Sequence, residues 1–170
     1  MGLFTGTTFH DLGDLYRAQL RDLYDAEQRV AEVLPRMQEK AGDARLKHSF
    51  GDQITETQAQ IARLEKAFTL LGETAKGQTC EATRGLIKEA EETLDADGEG
   101  HVLDAALIAN AQRIQHYNIA GYGCLTHFAK RCGQEEASSL FAESADEAGA
   151  SDRRMTQIAE ERVNAEAAAA

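Results

Sequence analysis

The sequence predicts an all-α protein, an antiparallel bundle of four long helices in which a long crossover carries a short extra helix. Three observations favour this fold class. The 170-residue chain contains one proline, the residue that most strongly interrupts helices. Apolar residues recur at steps of three and four along four long stretches, as on one face of an α-helix. Short turns join the stretches into two pairs, which residues 72–100 separate.

The first pair of stretches predicts a helical hairpin. Its first helix is expected to begin at Thr8, and its apolar face continues to Leu34. Pro35 lies inside the pattern and predicts a kink or an early end at that point. Asp43 follows a short turn and is expected to cap the second helix, over residues 44–71.

The crossover and the second pair of stretches complete the predicted bundle. A short amphipathic helix is expected over residues 80–96, and two long helices over 101–131 and 135–162. A long crossover between two hairpins is the topology of ferritin-like bundles. We therefore predict a single ferritin-like four-helix domain over residues 1–163, followed by a frayed or disordered Ala-rich tail at 164–170.

The third long helix carries apolar residues on two sides. Ile108, Ile119 and Tyr122 lie opposite its main apolar stripe, so this helix needs cover from two partners. Either the short crossover helix or a second subunit could supply the cover for these three residues. We predict a homodimer that uses the outer face of this helix.

Composition excludes several classes of function. The chain has 18 basic and 29 acidic residues, a formal net charge of -11, which would repel the phosphates of nucleic acids. Mean hydropathy is -0.46, and no apolar run of about 20 residues is present, so no membrane span is expected. No Ser-His-Asp, P-loop or Rossmann signature is present either.

The three cysteines favour a reducing compartment. Cys80, Cys124 and Cys132 form no CxxC pair and cannot all pair with one another. No secretory signal is visible near the N-terminus, so we expect a cytoplasmic protein. Cys80 precedes the short helix of the crossover and is expected to be the most accessible thiol. Cys124 lies on the inward stripe and is expected to fill space as a small apolar residue.

Polar residues at positions that should be apolar give the candidate site. Glu27 lies directly on the apolar stripe of the first helix. A buried carboxylate is costly unless it is neutralised, paired or bound to a cation. Three alternatives follow: Glu27 reaches water near a helix end, pairs with Lys or Arg, or binds a metal ion.

Further polar groups flank the stripes of the other helices. Gln53 and Glu56 lie near one another on the second helix, Asn118 flanks the third, and Glu147 flanks the fourth. Each could equally belong to a solvated helix edge. A di-metal carboxylate centre needs inward carboxylates from facing helices, with histidines one turn away. The candidate ligands Glu27, Glu56 and Glu147 form an incomplete set of this kind.

Longer stretches of the sequence resemble a known family. These stretches are LRDLYDAEQRVAEVLPRM, ITETQAQIARLEKAF, LIKEAEE and VLDAALIANAQRIQHYNIAGYG, and the resemblance extends from Phe9 to Ile158. They resemble the YciE/YciF family of bacterial stress-associated proteins, in the ferritin-like superfamily. The resemblance implies a ferritin-like bundle with an extra crossover helix, in a soluble bacterial cytoplasmic protein that is commonly a dimer. It also implies a possible di-metal centre between the helices.

The residues that match the family's metal site depart from its pattern. The first-helix glutamate is kept as Glu27. The usual His-x-x-Glu-Thr, Glu-His-Tyr-Glu and paired glutamates read here as Gln53-x-x-Glu56-Thr57, Gln115-His116-Tyr117-Asn118 and Glu147-Ala148. Fewer carboxylates leave less charge to compensate two divalent ions. An alternative is that the amides now form a buried hydrogen-bond network.

Two functions follow from this sequence. We predict a stress-associated bundle protein with a structural role or a role in binding an unidentified protein, in which the di-metal site is degraded or absent. The alternative is a di-iron or di-manganese redox protein that oxidises ferrous iron or handles peroxide. Its metal ligands would be Glu27, Glu56 and Glu147, with Tyr117 as a nearby aromatic residue.

Overall fold

The structure, a computed structural model described for residues 8–170, confirms the all-α prediction, with no strand in that part of the chain. A π-helical turn, Ala159–Val163, joins the last two helices. The helices are α1 Leu12–Lys40, α2 Ala44–Leu70, α3 Glu81–Leu94, α4 Gly100–Arg131, α5 Glu135–Ile158 and α6 Asn164–Ala169.

The helices form two antiparallel hairpins joined by a crossover that runs along the bundle. Helices α1 and α5 each pack against α2 and α4, and α3 packs against α1 and α4. Arg36 pairs with Glu91, and Lys40 donates to the carbonyl of Ala96, so α3 runs alongside α1 in the same direction. The crossover therefore returns the chain to the end where α4 begins, as in a ferritin-like bundle.

Capping residues fix the ends of the first hairpin. Asp11 caps α1 by accepting a hydrogen bond from the backbone N–H of Asp14, so α1 begins at Leu12, four residues after the start expected at Thr8. Asp43 caps α2 as predicted. The predicted early end at Pro35 is wrong: α1 continues to Lys40, because the turns on both sides of the proline bury apolar side chains in the core.

Two apolar clusters fill the bundle. The turn-side core lies near the α1–α2 turn, and the crossover-side core lies at the opposite end. Burial in both cores supplies most of the favourable free energy of folding. The turn-side core includes Val30, Leu34, Met37, Leu46, Phe50, Leu107, Ile114 and Met155, and the crossover-side core includes Tyr16, Leu20, Leu64, Phe68, Leu125 and Phe141.

The second side of α4 is covered within the chain at two of its three apolar positions. Ile108 and Tyr122 are buried, and only Ile119 stays partly exposed. Cover from the short crossover helix or a second subunit was expected for these residues, but Ile108 belongs to the turn-side core and Tyr122 turns into the bundle, where its hydroxyl contacts Glu27. Residues from 164 onward, predicted as a frayed or disordered tail, continue as helix α6, which packs against α4.

Candidate functional site: a polar layer between two apolar cores

Buried polar side chains lie between the turn-side and crossover-side cores, on the inner faces of all four bundle helices. We call this set, with the charged residues at its edge, the polar layer. Its buried members are Glu27 of α1, Gln53, Thr57 and Gln60 of α2, Gln115 and Asn118 of α4, and Ser144 and Ser151 of α5. Polar groups at such positions are costly unless they find partners.

Two helices supply matching rows of polar residues to this layer. Along α2 the row reads Gln53, Glu56, Gln60, Arg63, and along α5 it reads Ser144, Glu147, Ser151, Arg154. Both rows have steps of three, four and three, which keep the side chains on one helix edge. Because α2 and α5 are antiparallel, the arginine of each row meets the glutamate of the other.

Glu147 is held by two residues of α2. The Arg63 guanidinium donates from Nη1 to Oε2 at 2.7 Å and from Nη2 to Oε1 at 2.8 Å, and Gln60 Nε2 donates to Oε2 at 3.1 Å. Arg63 Nη2 also reaches Glu143 Oε1, at 2.7 Å. Hydrogen bonding to Glu147 raises the pKa of Arg63 above its ordinary value. The arginine is therefore a permanent cation at this edge of the layer.

Glu56 has an arginine partner as well. Arg154 Nη2 donates to Glu56 Oε1 at 2.7 Å and to Oε2 at 2.8 Å. Burial nevertheless raises the pKa of Glu56, and the arginine offsets this only in part. The negative charge of Glu147 also raises that pKa, so the two carboxylates are close enough to repel one another.

Glu27 is fully buried and has no cationic partner. Tyr122 Oη donates to its Oε1 at 2.7 Å. Burial raises the pKa of Glu27 to about 7; the hydrogen bond from Tyr122 lowers it, the charge of Glu147 raises it, and the nearby Asn118 amide lowers it. Oε2 of Glu27 and Oδ1 of Asn118 are buried acceptors without a hydrogen-bond partner. A proton on Glu27 would turn one of the acceptors of this layer into a donor.

A pair of amides fills the inner side of the layer. Gln115 Nε2 of α4 donates to Gln53 Oε1 of α2 at 3.1 Å, and both residues are buried. Gln53 stands where the resembled family has a histidine, and Gln115 stands where it has a glutamate. This hydrogen bond joins two neutral amides without any added charge, and it leaves Gln53 Nε2 buried without a hydrogen-bond partner among the described residues.

Comparison with known proteins identifies the family. The profile of the family described as "Domain of unknown function (DUF892)" matches residues 11–168. The chain belongs to the DUF892 family. Protein YciF of Escherichia coli strain K12 is 34% identical over 155 residues, which span 91% of this chain and 93% of YciF.

Solved structures agree with this assignment. The E. coli stress protein YciF has a TM-score of 0.87 at 32% identity, and the match covers 92% of this chain and 99% of YciF. YcfI of Rhodopseudomonas palustris, for which a structural role has been suggested, has a TM-score of 0.85 at 37% identity over 90% of this chain and 98% of YcfI. A two-domain Anabaena variabilis protein with a ferritin-like domain shares the fold alone, with a TM-score of 0.60 at 22% identity over 95% of this chain and 39% of that protein.

The geometry of this DUF892 chain does not fit a di-metal centre. Two of the three predicted ligands, Glu56 and Glu147, already direct both carboxylate oxygens at guanidinium groups. The third, Glu27, has a pKa that burial shifts toward the neutral acid. Among residues 8–170, no group of three or more His, Cys, Asp or Glu side chains is arranged to hold a metal ion.

Several residues of the layer were missed by the sequence analysis. Arg63 and Arg154 lie at the flanks of their stripes, where arginines usually face water. The signal that could have found them is the repeated spacing of the α2 and α5 rows, read in antiparallel order. Tyr122 was predicted on an outer face, although it follows Gln115 and Asn118 at steps of three and four along one edge of α4.

Tyr117, Cys80 and Cys124 have surroundings that differ from those the sequence predicted. Tyr117 Oη donates to Asp22 of α1 and lies 2.9 Å from Cys80 Sγ, so it holds the crossover rather than the layer. Cys80 is fully buried, so the expectation of an accessible thiol is wrong. Its thiol accepts a hydrogen bond at the start of α3, and its backbone N–H donates to Asp25. Cys124 is exposed instead of filling the core.

Among the described residues, no helix is both long enough and apolar enough to cross a membrane.

Proposed function

We propose that this chain is a stress-associated structural protein of the DUF892 family, in which the polar layer holds the two hairpins together without metal ions. The observation that carries the proposal is the pairing of Glu56 with Arg154 and of Glu147 with Arg63 across α2 and α5. Each pair joins one hairpin to the other. Because guanidinium groups supply the positive charge, the carboxylates need no divalent cation.

The similarity to YciF and YcfI supports the same proposal. One relative is named a stress protein, and a structural role has been suggested for the other. On this proposal the chain functions through contacts of its surface, either as a cytoplasmic homodimer or as a binding partner of another protein. The proposed contact is the part of α4 around Ile119, which is partly exposed.

A second candidate function is metal-dependent redox chemistry at Glu27, Glu56 and Glu147. One observation favours it: Glu27 Oε2 is a buried carboxylate oxygen without a hydrogen-bond partner, as a metal ligand would be before binding. Iron or manganese bound there would supply reactions with oxygen or peroxide.

Metal analysis separates the two candidates. The protein is purified without chelator from medium supplemented with iron and manganese, its metals are quantified, and oxygen uptake is followed during titration with ferrous iron. The structural proposal expects far less than one metal ion per chain and no protein-dependent oxygen uptake. Two ions per chain with rapid oxygen uptake would establish the redox function instead.

Sedimentation tests the proposed dimer. Ile119→Asp places a charge at this partly exposed position of α4 and is expected to yield monomers. The matched control is Val102→Asp, at an exposed position of the same helix, which should leave the oligomeric state unchanged. A dimer that survives Ile119→Asp would show that this face is not the interface.

A further inference from the structure

A cleft of about 430 Å³ lies between the first turns of α2 and the end of α5. We call it the α2–α5 cleft. Its wall includes the buried residues Ser49 and Ile158, and its rim includes the exposed residues Ala44, Arg45 and Gln157. Sites for small molecules are clefts of this size, in which an apolar wall carries a few placed polar groups.

Ser49 supplies a hydroxyl that α2 does not use. Only 3% of the residue is exposed, and its Oγ has no hydrogen-bond partner among residues 8–170. Seven other serines and threonines of the helices, Thr55 of the same helix among them, donate instead to the carbonyl four residues earlier. A buried hydroxyl without a partner is costly, so its position in the wall of a cleft favours a ligand atom as its partner.

Arg154 supplies a second unused donor to the same cleft. Its Nη2 donates to both carboxylate oxygens of Glu56, whereas its Nε is buried and has no partner in the described part of the chain. Both unused groups are shielded from bulk water. An oxygen atom that reached them would therefore form its hydrogen bonds in a low-dielectric environment, where such bonds are strong.

The charged groups around the cleft are already paired. The arginine just described pairs with Glu56. Arg45 at the rim pairs with Glu161 at 2.7 Å. Asp52 lies 3.8 Å from the exposed His48. A charged ligand would lose hydration without gaining a free counter-charge, so this arrangement suits an uncharged molecule.

We propose that the α2–α5 cleft binds a small, uncharged, mainly apolar molecule with an acceptor oxygen of the ketone type. The oxygen accepts hydrogen bonds from Ser49 Oγ and Arg154 Nε, and the apolar body packs against Ala44 and Ile158. The inference goes beyond the proposed function, because it assigns a ligand to a surface that the structural role does not use. Its failure would leave the pairing of Arg154 with Glu56 unchanged.

Titration of acetophenone into ¹⁵N-labelled protein, followed by two-dimensional NMR, tests the inference. This probe carries one ketone oxygen on an apolar ring. Its binding should shift the amide signals at the start of α2 and the end of α5, with a Kd of roughly 1 mM or below. Ethylbenzene lacks the oxygen and reports the apolar contact alone.

Ser49→Ala removes one of the two donors. It should weaken the binding of acetophenone about 3- to 10-fold and leave the binding of ethylbenzene unchanged. Because Oγ has no partner among the described residues, the substitution should leave the thermal unfolding midpoint unchanged or raise it. Ser139→Ala is the matched control, since this exposed serine of α5 donates to the carbonyl of Glu135. It should alter the binding of neither probe.

Ala44→Phe tests the location of the site, because a ring at this exposed rim position occupies the cleft and should weaken both probes. The inference is overturned if acetophenone at about ten times the expected Kd shifts no signals, or shifts only signals away from the cleft. Equal weakening of both probes by Ser49→Ala, or none, would also overturn it. A clearly lowered unfolding midpoint for Ser49→Ala would show that the hydroxyl already has a structural role, and would contradict the inference as well.

Discussion

The apolar cores and the polar layer are both buried, but they are specified in different ways. Phe50 in the turn-side core and Leu20 in the crossover-side core need only neighbours of suitable shape. Glu56 and Glu147 in the layer need a particular donor from another helix. The cores therefore supply stability, whereas the layer restricts the register of α2 against α5. A slip by one helical turn would separate each glutamate from its arginine.

The largest expected loss of unfolding free energy comes from truncating a side chain in an apolar core. Phe50→Ala removes a side chain that is fully buried in the turn-side core and should lower the free energy of unfolding by about 3–5 kcal/mol. Urea unfolding measures this, with Val102→Ala at an exposed position as the control, expected within about 0.5 kcal/mol of wild type. A loss below about 1 kcal/mol for Phe50→Ala would mean that this core is not tightly packed.

Glu27→Gln tests the electrostatic cost of the layer. Because burial raises the pKa of Glu27 from 4.5 to about 7, the folded chain keeps a proton in this pH range that the unfolded chain releases. The contribution of Glu27 to stability is fully present below pH 4.5 and is lost as the pH rises through about 7, a change of about 3 kcal/mol.

Glutamine cannot ionise and lacks this dependence. The difference in unfolding free energy, variant minus wild type, should therefore rise between pH 4.5 and 8, and Glu27→Gln should be the more stable protein at pH 8. Urea unfolding at a series of pH values measures the difference. A difference that stays constant with pH would show that Glu27 titrates normally.

Tyr122→Phe removes the donor to Glu27 and should cost about 1–3 kcal/mol, more at pH 8 than at pH 5, because the ionised carboxylate depends more on the hydrogen bond. Tyr16→Phe is the matched control: Tyr16 is equally buried, but its hydroxyl has no hydrogen-bond partner among residues 8–170. This control should leave stability unchanged or raise it. Equal losses for the two variants would argue against a specific role of the Tyr122 hydroxyl.

The smallest effect is expected where an α2–α5 ion pair lies in solvent. Lys66 and Glu136 are both more than half exposed, unlike the pairs of the polar layer. Lys66→Ala should therefore change the unfolding free energy by less than about 0.5 kcal/mol, and 0.5 M salt should abolish the difference. A loss of about 2 kcal/mol would mean that the whole α2–α5 seam, not only the polar layer, depends on charge pairs.

The same contrast explains what the sequence could and could not reveal. The cores follow from the period of the apolar residues in each helix, so the bundle and its crossover were predicted correctly. Glu27 could be found because a single carboxylate stood on an apolar stripe. The partners of Glu56 and Glu147 depend on the relative register of two helices distant in sequence, and the period within one helix does not contain that information. Cys80 was misplaced for a similar reason, since its cover comes from Tyr117 of another helix.

Urea unfolding of the wild-type protein, in EDTA and in saturating Mn²⁺ or Fe²⁺ without oxygen, tests most directly whether the polar layer is stabilised by the chain's own arginines and hydrogen bonds. We expect the same unfolding free energy in all three conditions. A ligand present at about 100 times its Kd adds about 2.7 kcal/mol when it binds only the folded state. An increase of that size with either ion would contradict the account.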